Sequence, residues 1–229
     1  MGIYGNARRS VNLLVGTPCY GCLMTIDYFQ SMTNLLRDGL AHGVNVDFMQ
    51  IGNQVTKKAR NSIVSYFYTH PEYTHLLFVD ADTGIEAGGV GKLLKSGKDV
   101  IGAPVALKGY HPDGSPVLNI GEIYSQEGSI AEIEHIGNAC LMFNRKAIDA
   151  LIGISTPYAE DLSAVRGDEH AMQDKAWDVF YIGVMEDGIY RPEDFSTCWT
   201  FRNKLDINVY CDLSIKTTHQ GTHQFKSWS

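Results

Sequence analysis

Two carboxylates sit two residues apart at the end of an apolar run, in Leu76-Leu77-Phe78-Val79-Asp80-Ala81-Asp82. Like charges this close repel unless a cation lies between or beside them. A hard divalent ion with oxygen ligands satisfies the pair and keeps positions open for phosphate oxygens. The plain alternative is an acidic turn that starts the next helix. A second acidic pair, Glu193-Asp194, follows Pro192, where a helix dipole favours negative charge. Cys19-Tyr20-Gly21-Cys22 matches C-x-x-C, a redox pair or half of a zinc site. There is no second C-x-x-C and no thioredoxin-like context. No phosphate-loop motif is present. Gly84, Gly88, Gly89 and Gly91 follow the acidic pair but do not spell a dinucleotide fingerprint.

The elements that must position these residues can be read from periodicity. Val11–Gly16 predicts a buried strand. Ile26, Phe29, Met32, Leu36 and Leu40 recur at steps of three and four, which predicts a helix over 24–40 with those residues on its apolar face. Val44–Ile51 alternates as a strand, Thr56–His70 reads as a helix stopped by Pro71, and His75–Val79 reads as a central strand. A short helix around Val90–Leu94 and a strand Asp99–Ala103 complete a β-α-β-α-β-α-β order. That order predicts a largely parallel sheet covered by helices, with ligands bound beyond the carboxyl ends of its strands. The second half is less regular. Strands are expected at Ala131–Ile136, Ala139–Phe143, Ala176–Val184, Ile189-Tyr190, Ile207–Tyr210 and Leu213–Lys216, and helices at Lys146–Ile152 and Glu193–Lys204. Residues 105–130 and 153–175 read as mobile loops. The expectation is a single α/β domain over 1–229, with an irregular second half from residue 105.

Composition narrows the function classes. The 229 residues are 44% hydrophobic and 20% charged, which fits a folded globular chain. No apolar run approaches the ~20 residues of a membrane span, so no membrane insertion is expected. A net charge of −7 argues against general binding of a phosphate backbone. Five cysteines without an apolar leader fit reduced thiols in a cytoplasm.

Several positions together resemble glycosyltransferases of the GT-A fold, and in particular the small stand-alone enzymes encoded by bacteriophages. Asp80-Ala81-Asp82 resembles their D-x-D motif. Thr17-Pro18-Cys19-Tyr20 follows the first strand, and Ala59-Arg60-Asn61 lies on the helix before the D-x-D strand. His135–Phe143 resembles the acceptor-side turn and strand, Pro192-Glu193-Asp194-Phe195 the x-E-D motif, and His219-Gln220-Gly221 the C-terminal metal-binding histidine. The resemblance covers nearly all of residues 11–225. It implies a nucleotide-sugar donor, with UDP favoured, and a Mn2+ cofactor, with Mg2+ second. Asp80 is then expected near the ribose and the metal, and Asp82 and His219 on the metal, with His223 competing for that place. Thr17, Pro18 and Tyr20 would wall the base pocket; Tyr20 reads equally as a core residue. Arg60 would offer a forked donor to the base or a phosphate, or would be a solvated charge beside Lys57 and Lys58. Asn53 would touch the base or cap the helix. Ala81 completes the donor set.

The resemblance further implies Asp194 as general base, with Glu193 adjacent, and an inverting transfer. The acceptor is left open among a glycan, a protein and a hydroxymethylated base of phage DNA. If the chain is phage-encoded, the host cytoplasm is the expected location. The alternatives are a sugar nucleotidyltransferase or a catalytically silent nucleotide- or carbohydrate-binding module. The first usually places a basic Gly-rich loop after the first strand, where this chain has no basic residue.

Overall fold

Leu13, Leu14 and Val15, and Leu76 through Val79, are buried on both faces, so their strands lie at the centre of a sheet. The computed structural model describes residues 11–52, 54–161, 172–221 and 224–226. In chain order the strands are β1 (Val11–Cys19), β2 (Val44–Gly52), β3 (His75–Val79), β4 (Thr83–Ile85), β5 (Val100–Gly102), β6 (Ala106–Tyr110), β7 (Pro116–Leu118), β8 (Ile123–Glu127), β9 (Ile130–Ile133), β10 (Cys140–Asn144), β11 (Thr156–Asp161), β12 (Met172–Asp178), β13 (Gly183–Val184), β14 (Tyr190–Arg191), β15 (Val209–Asp212), β16 (Thr217–Gln220) and β17 (Gln224–Lys226). The helices are α1 (Ile26–His42), α2 (Thr56–Thr69), α3 (Gly89–Ser96), α4 (Arg145–Gly153) and α5 (Glu193–Lys204).

The main sheet has eight strands in the order β2-β1-β3-β10-β5-β15-β9-β8. The strands β2, β1, β3, β5, β15 and β8 run one way, while β10 and β9 run the other. Alternation along β3 serves two cores. Leu76 and Phe78 pack with α2, α4 and α5 on one face. Leu77 and Val79 pack with α1 and α3 on the other. The expected Rossmann-like α/β architecture, a mostly parallel sheet flanked by helices, is the one observed. Because β1 lies between β2 and β3, the chain leaves β1 one way and β3 the other. The crevice beyond their carboxyl ends is therefore the topological switch point, where such sheets bind ligands.

Local chemistry sets the helix ends. Thr25 caps α1 by accepting from the Tyr28 amide, and Gly43 closes it in a left-handed conformation. Asn144 caps α4 through the Ala147 amide. Arg145 Nη2 donates to the carbonyls of Phe67, His70 and Tyr73 at 3.0, 2.7 and 2.8 Å, tying off the end of α2.

Several expectations are corrected. The helix at α1 forms, but of its predicted apolar face only Met32 is buried. Ile26, Phe29, Leu36 and Leu40 are exposed, and Tyr28, Ser31, Met32, Leu35 and Gly39 are buried. Ser31 turns inward because its hydroxyl accepts from the Ile85 amide at 2.8 Å. Gly39 turns inward because a Cβ there would stand 2.8 Å from the Val44 carbonyl oxygen. Residues 105–130 are not simply loop: they hold the β6–β7 pair and β8, which pairs with β9 just beyond. Within 153–175, β11 forms and pairs antiparallel with β12, which begins there and runs to Asp178. The strand expected at Leu213–Lys216 is a turn, because Asp212 takes the Ser214 amide at 3.0 Å. The strand expected over Ala176–Val184 breaks after Asp178, where the Asn61 side chain accepts from the amides of Val179 and Phe180. No helix among the described residues is long and apolar enough to cross a membrane.

Candidate functional site

The chain turns sharply after β3. The Asp80 amide donates to Ala139 O, the Thr83 amide donates to Asp80 O, and the Thr25 amide donates to Ala81 O. This turn sends the two carboxylates to different partners. Asp80 Oδ1 accepts from Arg60 Nη2 at 2.7 Å. Asp82 Oδ2 meets Lys108 Nζ at 3.0 Å and His219 Nε2 at 3.3 Å. The repulsion expected between the pair is thus relieved by protein cations, one set on each side.

Arg60 is only 4% exposed. Its other terminal nitrogen donates to Glu193 Oε1 at 2.9 Å. One guanidinium therefore clamps the first turn of α5 to the end of β3, and the reading of Arg60 as a solvated charge is excluded. Its fork is spent on two carboxylates, Asp80 and Glu193. The acidic pair on α5 divides accordingly. Glu193 is ion-paired, whereas Asp194 forms no ion pair among the described residues. Burial pushes the Asp194 carboxyl above the usual aspartate range, and the neighbouring Glu193 charge adds to that.

His219 arrives through tertiary structure. β16 pairs with β4 so that His219 lies opposite Thr83, next to Asp82, and the Gln220 amide donates to Asp82 O. His219 Nδ1 lies 2.8 Å from Ala106 O. A carbonyl only accepts, so Nδ1 carries the hydrogen and Nε2 faces Asp82. A backbone bond of this kind holds a histidine in the orientation of a metal ligand. Burial lowers the imidazole, but Asp82 and Ala106 raise it further, and the net direction is up. Burial also opposes ionisation of Asp82, yet His219 and Lys108 hold its carboxyl at about 2. One carboxylate oxygen and one imidazole nitrogen suit a borderline cation such as Mn2+. Asp80 does not join them: among the described residues no three His, Cys, Asp or Glu side chains gather as a metal cluster.

Thr17 and Pro18 are buried, and Thr17 shares a hydrogen bond with the Tyr28 hydroxyl. Tyr20 is 84% exposed, so a core role for it is excluded. Ala81 is held in the turn by Thr25. Asn53 and His223 lie outside the described residues. Burial raises the Cys19 thiol, the wrong direction for a reactive thiolate.

Two residues were given no role by the sequence: Lys108, and Asn138 within the His135–Phe143 segment. Lys108 lies on β6, two positions after the Ala106 carbonyl that orients His219. Asn138 is 2% exposed, next to the Ala139 carbonyl that accepts from Asp80. Both of its amide atoms lack a protein partner, as do Arg60 Nε and Thr83 Oγ1. Buried polar groups are almost always paired. Bound water or a polar ligand beyond the carboxyl end of β3 would satisfy these atoms.

No family model matches the chain, and no curated protein matches it by sequence. Among solved structures it is similar to A197 from STIV, at 12% identity and a TM-score of 0.49, over 92% of this chain and 86% of that one. It is similar to a UDP-glucose pyrophosphorylase solved with UDP-glucose, at 8% identity and a TM-score of 0.45, over 94% and 92%. A mannose-1-phosphate geranyltransferase from Thermus thermophilus aligns at 11% identity and a TM-score of 0.39, over 62% of this chain and 59% of that one. At TM-scores below 0.5 these likenesses carry no information about the chemistry of this chain.

Proposed function

We propose that the chain is a cation-assisted glycosyltransferase. It would move a sugar from a nucleoside-diphosphate donor, with UDP favoured, to an acceptor hydroxyl with inversion. The observation that carries this reading is the pairing of Asp82 with the backbone-oriented His219, at the switch point of the sheet and within one clamp of the acidic turn of α5.

Asp82 and His219 would hold the cation, Mn2+ before Mg2+. When bound, it supplies positive charge against the departing diphosphate. Lys108 stands on the same Asp82 oxygen and offers a second positive charge to those phosphates. Arg60 keeps Asp80 and α5 in fixed relation. Glu193 is engaged by that guanidinium, so Asp194 is the carboxylate left to act as base. It takes the acceptor proton as the acceptor oxygen bonds to the anomeric carbon. The carbon–oxygen bond to the diphosphate breaks, and the electron pair leaves with the diphosphate.

The test is incubation with a panel of nucleotide sugars and Mn2+, scoring donor cleavage. UDP-sugars should be cleaved by the wild type and not by Asp82→Ala. Release of pyrophosphate from UTP and a sugar 1-phosphate, without donor cleavage, would instead identify a nucleotidyltransferase. Turnover in neither assay would leave a binding module.

A further inference from the structure

We infer that the outer face formed by β2 and α1 is a self-association surface, on which a second copy of this chain docks across a two-fold axis. β2 is one edge of the eight-stranded sheet, and no strand pairs with its outer side among the described residues. It is nine residues long and pairs with β1 without a register shift. An edge strand presents a row of unpaired N–H and C=O groups, and soluble proteins blunt it with short length, bulges, proline or lysine. The opposite edge is blunted in this way: β8 has five residues and a register shift against β9. β2 has no such shift and no proline or lysine. Its one charge, Asp47, accepts from the Tyr73 hydroxyl at 3.1 Å.

The helix beside this edge has two faces. Tyr28, Ser31, Met32, Leu35 and Gly39 are buried against the protein. Ile26, Phe29, Thr33, Leu36 and Leu40 are exposed on another side, with Ile26, Phe29 and Leu40 at 71%, 68% and 85%. Their steps of three, four, three and four residues are the spacing of a seam between two helices. A surface helix needs one apolar stripe to hold it on its own core; α1 carries a second. Leu36 and Leu40 also line a groove with Val44 and Val46 of β2. The stripe and the sheet edge therefore form one continuous surface.

The occupant follows from the pattern of that surface. A sheet edge accepts a strand, and the stripe accepts a helix. A second copy supplies both in the same relation. A two-fold axis perpendicular to the sheet sets the two β2 strands antiparallel. It leaves both α1 helices on one face, running in opposite directions. Read from either end, the stripe is apolar, apolar, Thr, apolar, apolar, so a reversed copy presents the same order. A β2 pair centred on Phe48 sets Asp47 opposite Met49 of the partner subunit, which keeps like charges apart.

The area is sufficient. β2 spans roughly 30 Å and α1 roughly 26 Å. One sheet edge with one helix above it is roughly 20 Å tall. Each copy thus offers roughly 600 Å2, or about 1,200 Å2 in the dimer, at the lower end of stable interfaces.

The experiment is sedimentation velocity on the full chain without ligands, at concentrations up to about 100 μM, with hydrogen exchange on the same samples. A dimer is expected, with the outward amides of β2 protected. Phe29→Gln and Leu40→Lys should each weaken it tenfold or more, and together should leave a monomer with unchanged circular dichroism. Both side chains are largely exposed, so the substitutions test the surface without threatening the fold. A monomer at the highest concentration would leave this face to a different protein and overturn the inference. So would an oligomer larger than a dimer, or a dimer indifferent to both substitutions. Outward β2 amides that exchange as fast in the dimer as in the double variant would overturn it as well.

Discussion

Asp194 is a carboxylate held half-buried with no cation of its own, beside an acidic neighbour. Its folded-state pKa lies above the unfolded value. The stability this group contributes is therefore fully present below the ordinary carboxylate range and lost as pH rises through the raised value. At neutral pH the ionised form costs stability. Asp194→Asn should then do two opposite things. Transfer should fall by ~10²–10⁴, as for loss of a general base. Stability at pH 7, read by urea melts, should rise above wild type, and that gain should shrink to nothing as pH falls below the carboxylate range. The acid limb of kcat/KM in the wild type should also lie above the ordinary aspartate range. Full transfer activity in Asp194→Asn, with no gain in stability, would remove it from the base role.

At the scale of elements, the site depends on where α2 is held. Its Arg60 is the clamp, and its far end is secured by Arg145 at the start of α4. That guanidinium donates to four carbonyls, those of Phe67, Tyr68, His70 and Tyr73, and lies 3.9 Å over the Phe67 ring. Such charge-assisted bonds each contribute ~1.5–3 kcal/mol and are not additive. Arg145→Met keeps the packing of the stem but strands these carbonyls. It should lower stability by roughly 2–3 kcal/mol, seen as a lower urea midpoint at unchanged slope. An unchanged midpoint would mean that water replaces the guanidinium without loss.

Across the whole molecule, the candidate cation site joins three distant stretches of chain: the turn after β3, β6 and β16. Cation and nucleotide together should therefore stabilise the entire fold by mass action. At a hundred times Kd the gain is ~2.7 kcal/mol, or roughly 5–11 °C in Tm for a chain of this size. His219→Ala should abolish that gain while leaving the Tm of the unliganded protein within a few degrees of wild type. An undiminished gain would show that the cation binds without β16.

Features that depend on neighbours along the chain were legible in the residues alone. The apolar run Leu76–Val79 read as a central strand, and its end placed Asp80 and Asp82 at the carboxyl edge of the sheet. Pro192 followed by Glu193-Asp194 read as the opening of a helix. Periodicity reports burial less securely, as α1 shows: all of its apolar stripe but Met32 faces outward, because Ser31 and Gly39 make the closer contacts with β4 and β2. The side-chain partners were not legible there. Nothing local tells Arg60 that its fork will span Asp80 and Glu193, or brings Lys108 and His219 to one oxygen of Asp82. Those meetings follow from strand order and from the pairing of β16 with β4. They depend on where the whole chain folds back, and no spacing along the chain encodes that.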